Sequence, residues 1–189
     1  MERLQVKIKR LHPGAVIPQY AHEGDAGLDL VAVEDVIIAP GETIKVPTGI
    51  AVELPPGYEL QVRPRSGITL RTKLRVQLGT VDSNYRGEIG VIVDNIAPED
   101  LDGMPCEYFA LSIENKPLPE YKSNFVEGTY IIRKGDRIAQ GVIAPVATAN
   151  FVEVEKLSDT TRGNSGFGST GVKDEHTRKT IVTKDGVVE

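Results

Sequence analysis

Residues 78–93, LGTVDSNYRGEIGVIV, set one carboxylate, Asp82, and one phenol, Tyr85, between Gly79 and Gly87 and ahead of a β-branched run. Glycine lets a backbone bend sharply or approach a ligand closely. The run Ile89-Gly90-Val91-Ile92-Val93 reads as a buried strand. The expectation is an acid and a ring on a tight hairpin anchored in rigid core, the way catalytic groups are commonly placed. The plainer alternative makes Asp82 and Asn84 ordinary turn formers and Tyr85 the aromatic at a strand start. A second constellation is cationic: Arg63, Arg65, Arg71, Lys73 and Arg75 crowd one short stretch of a chain whose net charge is −5. That overall charge argues against a general nucleic-acid binder. A local basic patch suits a small anion, and a solvated strand face of alternating charge is the alternative. A third lies in Arg162–Gly171, with four glycines, two serine or threonine hydroxyls beside Gly168, one arginine and Phe167. It is either a flexible linker or a flap that offers N–H groups, hydroxyls and a ring; a linker has no need of Arg162 or Phe167.

The elements that must position these groups are short. At 189 residues the chain is long enough for one domain with a sizeable core. Strands are expected at Leu4–Lys9, from Asp25 into Ala32, at Val36–Ile38, Thr43–Val46, Ile50–Leu54, Tyr58–Val62, Leu74–Leu78, Thr129–Ile132, Arg137–Val146 and Val152–Val154. Pro40-Gly41, Pro55-Pro56-Gly57 and Gly135-Asp136 punctuate them. Ser66–Lys73 has the spacing of one short helix. Close-set strands with turn signals predict an all-β barrel or sandwich with little helix. Residues 96–128 break the rhythm with four prolines and several aromatics, an excursion with strand pieces such as Glu107–Ile113 and either a small fold of its own or a partner. The expected organisation is one domain over 1–171, carrying this excursion, and a polar tail over 172–189 in which Thr180–Thr183 could add a strand. No apolar run is long enough to span a membrane and the charged start does not read as a signal peptide. The single cysteine, Cys106, excludes an intrachain disulfide and a cysteine zinc site, and suits a reducing cytosol. His12, His22 and His176 lack metal-ligand spacing and read as surface residues.

Five segments, in order, resemble the trimeric dUTPases, which hydrolyse dUTP to dUMP and pyrophosphate. They are Ala26–Leu30, Pro64–Gly67, Gly79–Gly87, Gly135–Gln140, and Arg162-Gly163 with Gly166–Gly171. Each is weak alone; all five at sensible spacing across most of the chain are specific. The excursion and the tail lie outside the family core. Some phage members carry an insertion at the same place, which points to a phage or prophage origin.

The resemblance implies a β-clip, a distorted jelly-roll-like barrel, and a homotrimer with sites between subunits. It makes Asp82 the group that orients and deprotonates the water attacking the α-phosphorus, where placement counts for more than basicity. It implies that Tyr85 lies against the deoxyribose and excludes a 2′-hydroxyl, and that backbone groups of 76–81, including Gly79, Thr80 and Val81, read the uracil edge. Many relatives have asparagine where Val76 stands, so a side-chain contact there is in doubt. Arg65, Ser66, Gly67 and Gln140 would bind the phosphates, with Mg²⁺ arriving on them and no direct protein ligand; Asp29 would touch a metal-bound water or be a structural carboxylate. Arg162, Phe167, Gly168 and Ser169 would form a lid. Ordering about eight residues costs on the order of 8–16 kcal/mol, more than the roughly 1–3 kcal/mol of a stacked ring, so charge-assisted bonds to phosphate must close it. The rivals are a dCTP deaminase of the same fold, for which Glu88 is the nearest acid, and a regulatory protein bound by 96–128, whose aromatics could equally serve to pack the excursion.

Overall fold

The computed structural model describes residues 4–98, 108–123, 125–166, 181–183 and 186–188. In chain order the strands are β1 Lys7–Arg10, β2 Leu28–Val31, β3 Val36–Ile38, β4 Thr43–Pro47, β5 Ile50–Glu53 and β6 Tyr58–Pro64. Helix α1, Ser66–Arg71, follows, then β7 Leu74–Val76, β8 Gly79–Val81, β9 Gly90–Asn95, β10 Tyr108–Leu111, β11 Pro117–Ser123, β12 Tyr130–Ile132 and β13 Arg137–Pro145. β14 Ile181–Thr183 and β15 Gly186–Val188 close the chain. The fold is all-β with one short helix, as expected. No helix among the described residues is long and apolar enough to cross a membrane.

The compact units are Met1–Thr148 and Ala149–Glu189; the expected boundary after Gly171 falls inside the second. In the first unit the sheets run β2-β13-β6-β8, β4-β9-β7 and β11-β10-β12-β3, with β1 paired to β5. Alternation drives the burial: along β9, Val91 and Val93 are buried while Ile92 between them is exposed. Leu30, Ile38, Val46, Ile50, Leu74 and Ile89 are at most 1% exposed, each stabilising by about 1.5–3 kcal/mol. At the Pro40-Gly41 turn, Gly41 takes φ +76 and the Glu42 N–H donates to the Ala39 carbonyl at 3.2 Å, a conformation in which glycine carries no steric penalty. In the second unit, β14 and β15 pair antiparallel.

Four expectations change. The first strand begins at Lys7 and all four of its residues are exposed, because only β5 pairs with it. Val152–Val154 is not a strand: among the described residues no partner pairs with it, and Val152 and Val154 are 73% and 55% exposed. The acidic loop is not a hairpin. β8 pairs with β6 and β9 with β4 and β7, so residues 82–89 cross from one sheet to another, and β7 and β8 likewise belong to different sheets. Finally, the excursion extends a core sheet instead of folding by itself. β10 lies parallel beside β12 and β11 outside β10. Ala110, Leu118 and Ile131 are buried together, with Tyr121 and Phe125 packed on them, and the Tyr121 hydroxyl donates to Asp35 Oδ2 at 2.8 Å. These two aromatics pack the excursion onto the core.

Candidate active site

The phosphate turn is built from the end of β6. Arg65 is extended and its carbonyl accepts the N–H groups of Ile68 and Thr69, both at 3.1 Å, which starts α1. Its guanidinium is fixed: Nε lies 3.1 Å from Asp29 Oδ1 and Nη1 donates to the Arg137 carbonyl at 2.9 Å. Asp29 Oδ2 in turn meets Arg137 Nη1 at 3.2 Å. Asp29 is thus shared by two guanidiniums. In register, Gln140 lies opposite Asp29 on one side and Arg63 on the other. A Cβ at Gly27 would stand 3.2 Å from the Gln140 side chain, so the glycine leaves room for that amide. A Cβ at Gly67 would meet nothing within 4 Å, which leaves its backbone open. Arg65, Ser66, Gly67 and Gln140 share one cleft of about 300 Å³.

The basic patch is divided in use. Arg75 Nη1 donates to the carbonyls of Thr69, Thr72 and Leu74 at 2.8–3.2 Å, satisfying the end of α1, and Arg63 bonds Gln61. Arg71 lines the phosphate cleft, with Ile113 and Glu114 of the excursion. Sequence reading did not place these three in the site. Arg71 carried a signal through its patch; Glu114 lies across the fold and carried none.

Asp82 follows buried Val81 and is exposed. Its carbonyl accepts the Tyr85 N–H at 3.1 Å, and the Tyr85 hydroxyl donates to the Glu88 carbonyl at 3.2 Å. The ring lies across Gly87, where a Cβ would fall 2.3 Å from the hydroxyl oxygen. The far end of the loop is tied down where Thr48 Oγ1 donates to the Ile89 carbonyl at 2.5 Å and the Gly49 N–H to Glu88 Oε1 at 2.7 Å. Glu88 is thus bound into the β4–β5 turn, away from the role a deaminase would need. Among the described residues Gly79, Thr80 and Val81 form an edge strand, paired only to β6, and such an edge presents backbone donors and acceptors outward. Val76 is half-buried opposite Val93.

The two halves do not meet within one chain. Val81 lies opposite Leu60, near the start of β6, whereas Ser66 lies beyond its other end at Pro64. At about 3.3 Å per extended residue, roughly 20 Å separates Asp82 from Ser66. Of the flap, Arg162 Nε donates to the Ser165 carbonyl at 3.1 Å; Phe167, Gly168 and Ser169 lie outside the described residues. Among the described residues no three His, Cys, Asp or Glu gather to hold a metal. The arginine, hydroxyl and amide donors of the cleft fit a cation carried in on phosphate oxygens.

The dUTPase family model matches residues 14–102 and 121–171; the gap falls inside the excursion. The deoxyuridine 5′-triphosphate nucleotidohydrolase of Gloeothece citriformis is 42% identical over 171 residues, 89% of this chain and 98% of that one. Its counterpart in Thermobifida fusca is 45% identical over 170 residues, 89% and 79% of the two chains. Among solved structures, Staphylococcus bacteriophage 80alpha dUTPase with dUPNHPP gives a TM-score of 0.84 at 35% identity, covering 89% of this chain and 99% of that one. The dUTPase from phage phi11 of S. aureus, described for its species-specific insert, gives 0.75 at 30% identity, covering 82% and 99%.

Proposed function

The chain belongs to the dUTPase family, and we propose that its hydrolysis of dUTP to dUMP and pyrophosphate runs at sites assembled from more than one copy of the chain. The observation that carries this is the span of β6, which holds the acidic loop and the phosphate turn about 20 Å apart. A homotrimer, in which one copy brings Arg65, Ser66, Gly67 and Gln140, a second brings Asp82, Tyr85 and the edge of β8, and a third brings Arg162–Ser169, completes the site.

In this reading Asp82 accepts the proton of a water aligned for in-line attack on the α-phosphorus. Attack forms the new P–O bond as the bond to the pyrophosphate oxygen breaks. Arg65 and the open backbone at Gly67 hold phosphate oxygens, and Gln140 adds a neutral donor. Tyr85, laid flat across Gly87, leaves no room beside the sugar for a 2′-hydroxyl. The outward edge of β8 pairs the uracil edge, and cytosine would leave those groups unpaired. Mg²⁺ bound to the phosphates would offset their charge, and Asp29 would touch a metal-bound water or serve only to position its two arginines. Phage 80alpha dUTPase is described as controlling transfer of virulence genes by a G protein-like mechanism; here the 96–128 excursion, with Phe109 42% exposed, is the surface we assign to a regulatory protein, in the reducing cytosol that Cys106 suits.

The test is pyrophosphate release from dUTP, dCTP, dTTP and UTP. Cleavage of dUTP alone is expected, with kcat of Asp82→Asn down by about 10²–10⁴ and binding of a non-hydrolysable analogue retained. Ammonia release from dCTP would instead identify a deaminase.

A further inference from the structure

The turn joining β10 to β11 reaches the phosphate cleft, where Ile113 and Glu114 line it together with Arg65, Ser66, Arg71 and Gln140. This turn is held in place. The buried Ser112 hydroxyl accepts the N–H groups of Glu114 and Lys116 at 3.3 and 3.2 Å, and the Ser112 N–H donates to the Lys116 carbonyl at 2.9 Å. Asn115 takes φ +61, alone among the described non-glycine residues. Its Oδ1 accepts the Tyr130 hydroxyl at 2.8 Å, and that hydroxyl accepts the Lys73 N–H at 3.2 Å. One buried phenol thus ties the excursion to the chain leaving α1. Glu114 is fixed in a cleft whose other charged groups are guanidiniums. Lys116 Nζ bonds its carboxylate at 2.5 Å, and this bond holds the carboxyl below the usual range, with Arg71 adding a smaller attraction.

Resting on the hydrolase reading above, we propose that Glu114 is an affinity-setting residue of the phosphate cleft: its carboxylate lines the cleft beside Arg65 and Arg71, repels the phosphate chain and so limits how tightly triphosphate and pyrophosphate are held. An anion in a phosphate cleft repels the ligand, and here it also neutralises the neighbouring Lys116. The excursion then does more than extend a sheet; it sets the charge the substrate meets.

The experiment measures binding of a non-hydrolysable dUTP analogue and of pyrophosphate to the wild type, Glu114→Gln, Arg71→Gln and the double variant, at low and high salt. Glu114→Gln keeps the shape and an acceptor for Lys116. It is expected to bind both anions about three- to fivefold tighter at low salt, with the gain lost at high salt and kept over the weaker binding of the Arg71→Gln background. Unchanged or weaker binding by Glu114→Gln, or a gain that high salt leaves intact, would overturn the proposal. Hydrolysis of dUTP by the same wild-type sample separates the two claims: an inert wild type overturns the hydrolase reading, whereas an active one with an unmoved Glu114→Gln overturns only this inference.

Discussion

Tyr85 and Gly87 show how one small residue sets the aim of a large one. The ring can lie across the loop only because position 87 has no side chain; a methyl there would sit 2.3 Å from the phenol oxygen. Gly87→Ala must therefore swing the ring away. We expect its preference for dUTP over UTP, measured as the ratio of kcat/KM values, to fall toward that of Tyr85→Ala, while Gly67→Ala, whose Cβ meets nothing in this chain, leaves that ratio unchanged. At this scale the sequence is legible in residue types. An acid and a ring flanked by glycines, and an Arg-Ser-Gly after a proline, are visible by inspection. Which cation meets which anion is not. Only the fold shows that Arg65 and Arg137 meet the two oxygens of Asp29; the partners are distant in sequence. Arg75 looks like a ligand for an anion and is in fact a helix cap.

At the scale of the element, the excursion depends on a few polar ties. Asn115 bears a left-handed backbone, which costs most residues about 1–2 kcal/mol, and a hydrogen bond to a buried phenol, worth about 1 kcal/mol. Asn115→Ala should lower stability by roughly 2 kcal/mol in chemical denaturation, and Asn115→Gly by less. A second tie is Asp35, whose carboxyl is held below its ordinary value first by the Lys134 N–H and then by the Tyr121 hydroxyl, with Arg133 and Lys134 adding attraction. A depressed carboxyl binds fewer protons folded than unfolded. Its stabilisation is complete above the unfolded value of about 3.9 and is lost as pH falls through the lower folded one. Thermal midpoints of the wild type and Asp35→Asn should accordingly differ at pH 6 and converge below about pH 4. Strand periods and proline–glycine turns were readable in advance because they are local. Strand partners were not. Two apolar strands around a turn look like a hairpin, yet β8 and β9 pair with strands far away in sequence. Val152–Val154 alternates like a strand, yet among the described residues nothing pairs with it.

At the scale of the whole molecule, the proposed site is divided between two places on the chain. The phosphate turn and the acidic loop sit beyond opposite ends of one strand, so neither alone can align a water with an α-phosphorus. Periodicity and spacing carry no sign of this, since they describe a single chain; only the register of β6 against β8 exposes it. Symmetric assembly is the economical solution, because every copy then contributes each half once. The decisive measurement is dUTP hydrolysis by mixed assemblies of two inactive variants, Asp82→Asn and the double variant Ser66→Ala/Gln140→Ala, refolded together. If the halves come from different copies, about a quarter of the sites in a random mixture regain both intact halves, and activity returns to about that fraction of wild type. A mixture as inactive as its parents, with mixed assemblies shown to have formed, would contradict the account.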